Sequence, residues 1–157
     1  MAVRKIFKIG EDVLRQKAHG VSKFDKRLEA LLKDMAETMY AADGCGLAAP
    51  QVGILRRVVV IDVGEGLVEL VNPVILSAEG SQLGPEGCLS VPGRRGIVER
   101  PEKVVVTALN RKGEPFELAA EGYFARAVCH ELDHLDGILY VDSMLEDVTQ
   151  QYEDGEL

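Results

Sequence analysis

A chain of 157 residues with 46% apolar and 28% charged residues has the make-up of one globular domain, long enough to bury roughly 70% of its unfolded surface around a rigid site. A formal charge of −8 excludes general affinity for a polyanionic backbone, so no DNA partner is expected. Neither the start MAVRKIFKIG nor any later stretch holds an apolar run of signal-peptide or membrane-spanning length, so a cytoplasmic protein with no membrane partner is expected.

The first periodic segment, FDKRLEALLKDMAETMYAADG at 24–44, places Leu28, Leu31, Leu32, Met35, Met39 and Tyr40 on a helical stripe, with Asp25 as the cap and Gly44 as the stop. GCGLAA at 44–49 has the form of a dinucleotide fingerprint, but it follows a helix, and Pro50 stands where the next helix would begin. A nucleotide site is therefore not expected. Gly44 and Gly46 are read instead as points where another backbone comes close, and Gln51 as a neutral amide able to donate to an oxyanion.

From 57 to about 120 the texture changes to β-branched runs, RVVVIDV, LVELVNPVI, GIVERPEKVVVTALN and PFELAA, punctuated by Gly, Pro and Asn. They predict mostly antiparallel strands. Between them, GPEGCLSVPG at 84–93 is read as a stiff segment that presents Cys88. EGYFARAVCHELDHL then predicts a buried helix over roughly 121–135, with Phe124, Val128, Leu132 and Leu135 on one side. The fold expected is α+β: antiparallel strands packed around a central helix carrying HExxH, with a further N-terminal helix. Residues 1–144 are assigned to this single catalytic domain and 145–157 to a short acidic tail, expected to fray.

HELDH sets His130 and His134 one helical turn apart on one face, where both imidazoles reach one ion, with Glu131 at the edge of that face. In HExxH sites the histidines hold a metal and the glutamate handles protons. The third ligand decides the reaction. HELDHLDGILY follows the metzincin pattern through Gly137, yet Tyr140 stands where that family needs histidine. The thermolysin arrangement needs a glutamate on a later helix, and too little chain follows His134 for one. A protease or aminopeptidase is thus the second reading, and a noncatalytic metal-bearing module the third.

His19 reads as a surface or capping residue. The cysteines, Cys45, Cys88 and Cys129, are odd in number and scattered, against a disulfide framework. Cys129 directly precedes His130 and points off the ligand face, as a small core residue would. Cys88 with the two histidines makes three protein ligands and leaves room for water, a catalytic layout; a closed structural zinc site would recruit a fourth ligand such as Cys45.

Three stretches in this order, GCGLAAPQ (44–51), EGCLS (86–90) and HELDH (130–134), resemble the signature motifs of the peptide deformylases. Weaker similarity in GEDVLRQKA and LVNPVIL extends the resemblance over roughly residues 9–144. It implies an α+β metallohydrolase that removes the formyl group from the N-terminal formylmethionine of newly made polypeptides, releasing formate. By motif position it implies Cys88, His130 and His134 as ligands of one divalent ion. Fe2+ is the metal implied, with Zn2+, Ni2+ or Co2+ as substitutes. Glu131 would be the general base and acid. Gln51 and the backbone N–H of Leu89 would stabilise the oxyanion, and the backbone at Gly46 and Gly87 would pair with an extended substrate. Cys45, Tyr123, Arg126 and Ala127 are the expected wall of the methionine pocket, and Glu86 is expected to pair with Arg100.

Members usually carry Gln where this chain has Cys129 and an aliphatic residue where it has Cys45. Many bacterial members also carry a basic C-terminal helix associated with ribosome docking, whereas 145–157 here reads LEDVTQQYEDGEL. Docking on ribosomal RNA by that route is not expected.

Overall fold

The computed structural model describes residues 2–153. In chain order it contains α1 (Lys26–Ala41), β1 (Gly46–Ala48), β2 (Val58–Ile61), β3 (Val68–Glu79), β4 (Gln82–Cys88), β5 (Val91–Arg100), β6 (Lys103–Leu109), β7 (Pro115–Glu121), α2 (Tyr123–Leu135), β8 (Glu146–Asp147) and α3 (Thr149–Glu153). One antiparallel sheet has the order β1-β2-β3-β6-β7, and a second has the order β4-β5-β8. The predicted α+β class with antiparallel strands is the one observed.

The unbroken apolar run of β2 shows how the two long helices are seated. A strand with one wet face alternates apolar and polar residues, whereas one covered on both faces need not. Val58 and Val60 pack with Leu28, Leu31, Leu32, Met35 and Met39 of α1, while Val59 and Ile61 pack with Ala125, Val128, Leu132 and Leu135 of α2. The large sheet is therefore sandwiched between the two helices. Tyr40, predicted on the α1 stripe, is exposed instead and bonds Asp62 through its hydroxyl at 2.6 Å.

Asp25 caps α1 by accepting from the Leu28 N–H at 3.1 Å. The helix stops at Ala41, earlier than the predicted Gly44, because Asp43 takes the left-handed conformation (φ 56°). The Gly44 N–H then closes on Met39 O at 2.9 Å and the Asp43 N–H on Tyr40 O at 3.1 Å, satisfying the last carbonyls. In β3 the register shifts between Val71 and Val74, where Pro73 has no N–H to give to a ladder.

Two expectations are corrected. The segment 84–93, read only as stiff, is the antiparallel β4–β5 hairpin; its Gly and Pro content hid strands whose pairing is set by their partner. The acidic tail does not fray over its described part. Glu146 and Asp147 pair with Ile97 and Gly96, Val148 is buried, and the Leu145 and Val148 N–H groups bond Ile97 O and Arg95 O at 2.7 and 3.0 Å. Backbone pairing needs no large apolar side chain, the feature whose absence suggested fraying; residues 154–157 of that tail lie outside the described residues. Among the described residues no helix is long and apolar enough to cross a membrane.

Candidate metal centre

Helix α2 is anchored at its C-terminal end, where Leu135 O accepts from the Ala18 N–H at 2.8 Å and from Arg57 Nη1 at 3.0 Å. A cation there also suits the helix dipole. On this helix His130 and His134 are buried, and the β4–β5 hairpin delivers Cys88 to them. One ligand atom from each lies within 4.8 Å of the other two. Cys88 Sγ stands 3.3 Å from His134 Nε2, close to the roughly 3.5 Å edge of a tetrahedron whose centre is a Zn-sized ion. One soft and two borderline donors, two of the three beside a cleft, suit a divalent transition metal.

Glu86 governs the orientation of His130. Its Oε1 receives His130 Nδ1 and Arg100 Nη2, each at 2.9 Å, and its Oε2 receives Arg100 Nε and Arg126 Nη1, each at 2.8 Å. A carboxylate on Nδ1 fixes the ring and leaves Nε2 as the nitrogen that could face a metal. Burial works to raise the Glu86 pKa, but hydrogen bonds from Arg100 and then His130 outweigh it and hold the group at about 2. The expected Glu86–Arg100 pair is present and buried, with Arg100 Nη1 continuing to Asp133 Oδ2 at 2.7 Å.

A cleft of about 540 Å³ opens on the centre and is bordered by Cys45, Gly46, Gln51, Gly87, Leu89, Arg126, Ala127 and Glu131 along with Cys88 and His130. His134 lies behind it. Gln51 accepts the Ala48 N–H on Oε1 at 2.9 Å, which turns its amino group toward Ser90 Oγ at 3.0 Å and Cys88 Sγ at 3.6 Å. Glu131 is buried, and its Oε1 has no hydrogen-bond partner among the described residues. Burial pushes its carboxyl up to about 7. Cys45 Sγ meets the Tyr123 hydroxyl at 3.1 Å on the cleft wall.

Gly44, Gly46 and Gly87 make room for side chains. A Cβ on Gly46 would lie 2.5 Å from Glu131 Oε2, and one on Gly44 would lie 2.7 Å from Leu89 Cδ1. A Cβ on Gly87 would run into the Arg95 guanidinium. Gly87 also sits in the register shift between Glu86 and Cys88, outside the β4–β5 pairs.

His19 is exposed and Cys129 is in the core, as expected. After Gly46–Ala48 comes a 3-10 turn, not the long helix a nucleotide fingerprint opens. Sequence reasoning missed Ser90 on Gln51, Arg126 and His130 on Glu86, and Tyr140, whose ring stacks on His130 at 6.0 Å between centroids. The one available signal was the spacing of Arg126 and His130, four apart on one helix face.

An α+β fold that gathers two helical histidines and a strand cysteine behind a cleft bordered by a buried glutamate belongs, as a class, with the metallohydrolases. The chain matches the family model for polypeptide deformylase over residues 3–150. It is 60% identical over 151 residues to the peptide deformylase of Caldicellulosiruptor bescii, covering 96% of this chain and 91% of that one. It is also 60% identical over 146 residues to peptide deformylase 1 of Clostridium acetobutylicum, covering 93% and 97%. The crystal structure of the Thermotoga maritima peptide deformylase superposes with a TM-score of 0.89 at 45% identity, covering 90% of this chain and 97% of that one. The chain belongs to the peptide deformylase family, metal-dependent hydrolases that remove the N-formyl group from the N-terminal formylmethionine of nascent polypeptides.

Proposed function

We propose that Cys88, His130 and His134 hold one divalent ion, Fe2+ in the native protein with Zn2+, Ni2+ or Co2+ able to replace it, and that Glu131 moves the protons of deformylation. The observation that carries this reading is the buried Glu131 carboxylate, whose Oε1 has no hydrogen-bond partner among the described residues, on the same cleft as Cys88 and His130. When bound, the ion supplies Lewis acidity that acidifies water and polarises the formyl oxygen.

Glu131, poised near neutrality by burial, accepts the proton of the attacking water and delivers it to the leaving amine. Gln51, whose amino group is aimed at the cleft by the Ala48 N–H, donates to the oxyanion together with the Leu89 N–H. β1 and β4 are edge strands of their sheets, so an extended peptide has backbone at Gly46 and Gly87 to pair with. Cys45, Ala127 and the neighbouring cleft wall receive the methionine side chain. Residues 1–144 form the catalytic unit, and the reaction takes place in the cytoplasm. Segment 145–157, being acidic, provides no docking surface for ribosomal RNA.

Anaerobically prepared Fe2+ protein is expected to release formate from a formyl-methionyl peptide and nothing from the acetylated or unblocked peptide, as read by a coupled formate assay. Free methionine from the unblocked peptide would instead identify an aminopeptidase, which needs the amine that the formyl group covers. Gly46→Ala tests the placement of Glu131. A Cβ placed 2.5 Å from Oε2 and 2.9 Å from Cγ must displace that carboxylate. With metal content unchanged, formate turnover is expected to drop about a hundredfold, on the order of removing a positioned proton carrier; turnover within threefold of the parent would show that Glu131 stands elsewhere.

A further inference from the structure

Among the described residues, the hairpin carrying Cys88 and the helix carrying the histidines lie in separate apolar clusters, bridged by the ring of Tyr140 on His130. Val91 and Val98 of the hairpin pack with Leu139 and Tyr140, a cluster separate from the two that bury α1, α2 and the large sheet. Beside that ring, the direct side-chain bonds between hairpin and helix are polar and buried. Arg126 of α2 bonds Glu86 of β4, Glu86 is forked by Arg100 of β5, and Arg100 returns to Asp133 of α2. The four charges alternate in sign and sum to zero. His130 sits within this bracket, tied to it through Glu86.

We infer that Arg126 is a positioning residue for the metal ligands: its guanidinium locks the Cys88 hairpin onto the histidine helix and does not contact substrate. This rests on the reading of Cys88, His130 and His134 as ligands. Arg126 Nη1 reaches Glu86 Oε2 at 2.8 Å, Val98 O at 3.0 Å and Gly84 O at 3.3 Å, so one nitrogen holds both strands of the hairpin. Its Nη2 reaches Gln82 Oε1 at 3.3 Å. A Cβ on Gly84 would approach Nη2 to 3.0 Å, so that glycine lets the strand lie close against the guanidinium. Arg126 borders the cleft, but its charged end is committed to the hairpin. The residue is one turn from His130 on the same helix face, and both bind the same carboxylate. Loss of the Arg126 bonds loosens the seating of Glu86, and with it the spacing of Cys88, two residues along β4, from the histidines. Lysine keeps the charge but not the several-armed geometry.

The test compares wild type, Arg126→Met and Arg126→Lys, each loaded with Co2+. Arg126→Met is expected to lose Co2+ to a chelator roughly ten- to a hundredfold faster, the usual cost of disturbing a group that orients a ligand. Its thiolate-to-Co2+ charge-transfer band should shift, while KM for a formyl-methionyl peptide stays within twofold. Arg126→Lys should fall between the two. Unchanged release and spectrum overturn the inference, and if KM rises fivefold at the same time Arg126 is a pocket wall. Should the methionine variant fail to fold, the lysine variant decides alone: faster release supports the inference and wild-type release overturns it. A wild-type protein that shows the thiolate band but yields no formate removes the deformylation reading of the cleft and leaves the release comparison to judge Arg126. Absence of the band in wild type removes the ligand set and the inference with it.

Discussion

Glutamine in place of Glu131 is expected to leave fold and metal content intact and to lower formate release by roughly a hundred- to ten-thousandfold, the range a positioned general acid–base supplies. The substitution is mild for the structure. Oε1 has no hydrogen-bond partner among the described residues to lose, and an amide fills the space of the carboxylate against Gly46. What changes is proton chemistry, since a carboxylate held near neutrality can take a proton from water and return it to an amine, whereas a carboxamide can do neither. Burial is the first cause of that poise, with His130 opposing it and Glu86 adding to it. The measurement pairs initial formate rates with metal analysis on the same sample. Turnover within tenfold of the parent at full metal occupancy would assign Glu131 a merely structural place on α2.

Much of this was legible in the sequence, and the reasons differ from element to element. Both long helices could be read because their apolar residues recur at helical spacing and are buried there. β2 could be read from VVVI, although its two-sided burial required knowing that a helix covers each face. β4 could not be read, because Gly84, Pro85 and Gly87 carry almost no strand preference of their own. The candidate set of Cys88, His130 and His134, which the fold brings within reach of one another, was named from spacing and motif. Of the partners of Glu86 only Arg100, fourteen residues along the chain, was expected; Arg126 and His130 meet it across forty and forty-four residues, and no local pattern encodes such a meeting. Arg126 illustrates the limit. On a helical wheel it faces the cleft with His130, which suggests a pocket wall; only the hairpin, brought over it by tertiary packing, draws off its guanidinium.

Glu86→Gln is expected to destabilise the protein by about 3–5 kcal/mol and to weaken metal binding by roughly ten- to a hundredfold. The size follows from where the charges are. An exposed ion pair contributes at most about 1 kcal/mol, but Glu86, Arg100 and Arg126 are each less than a tenth exposed, and the carboxylate uses both oxygens on two guanidiniums and an imidazole. Glutamine keeps one acceptor and turns an amino group toward cations, so Arg126 or Arg100 is left charged and unpaired out of water. Asp133 offers partial compensation to Arg100 alone, through Nη1. His130 loses the acceptor on Nδ1 that keeps Nε2 toward the metal, which adds a ligand effect to the stability effect. Denaturant unfolding of metal-free protein isolates the first, and chelator competition at fixed pH isolates the second. A metal-free stability within 1 kcal/mol of the parent would mean that the guanidiniums find water or other acceptors, and the polar bracket would then orient His130 without holding the hairpin to the helix.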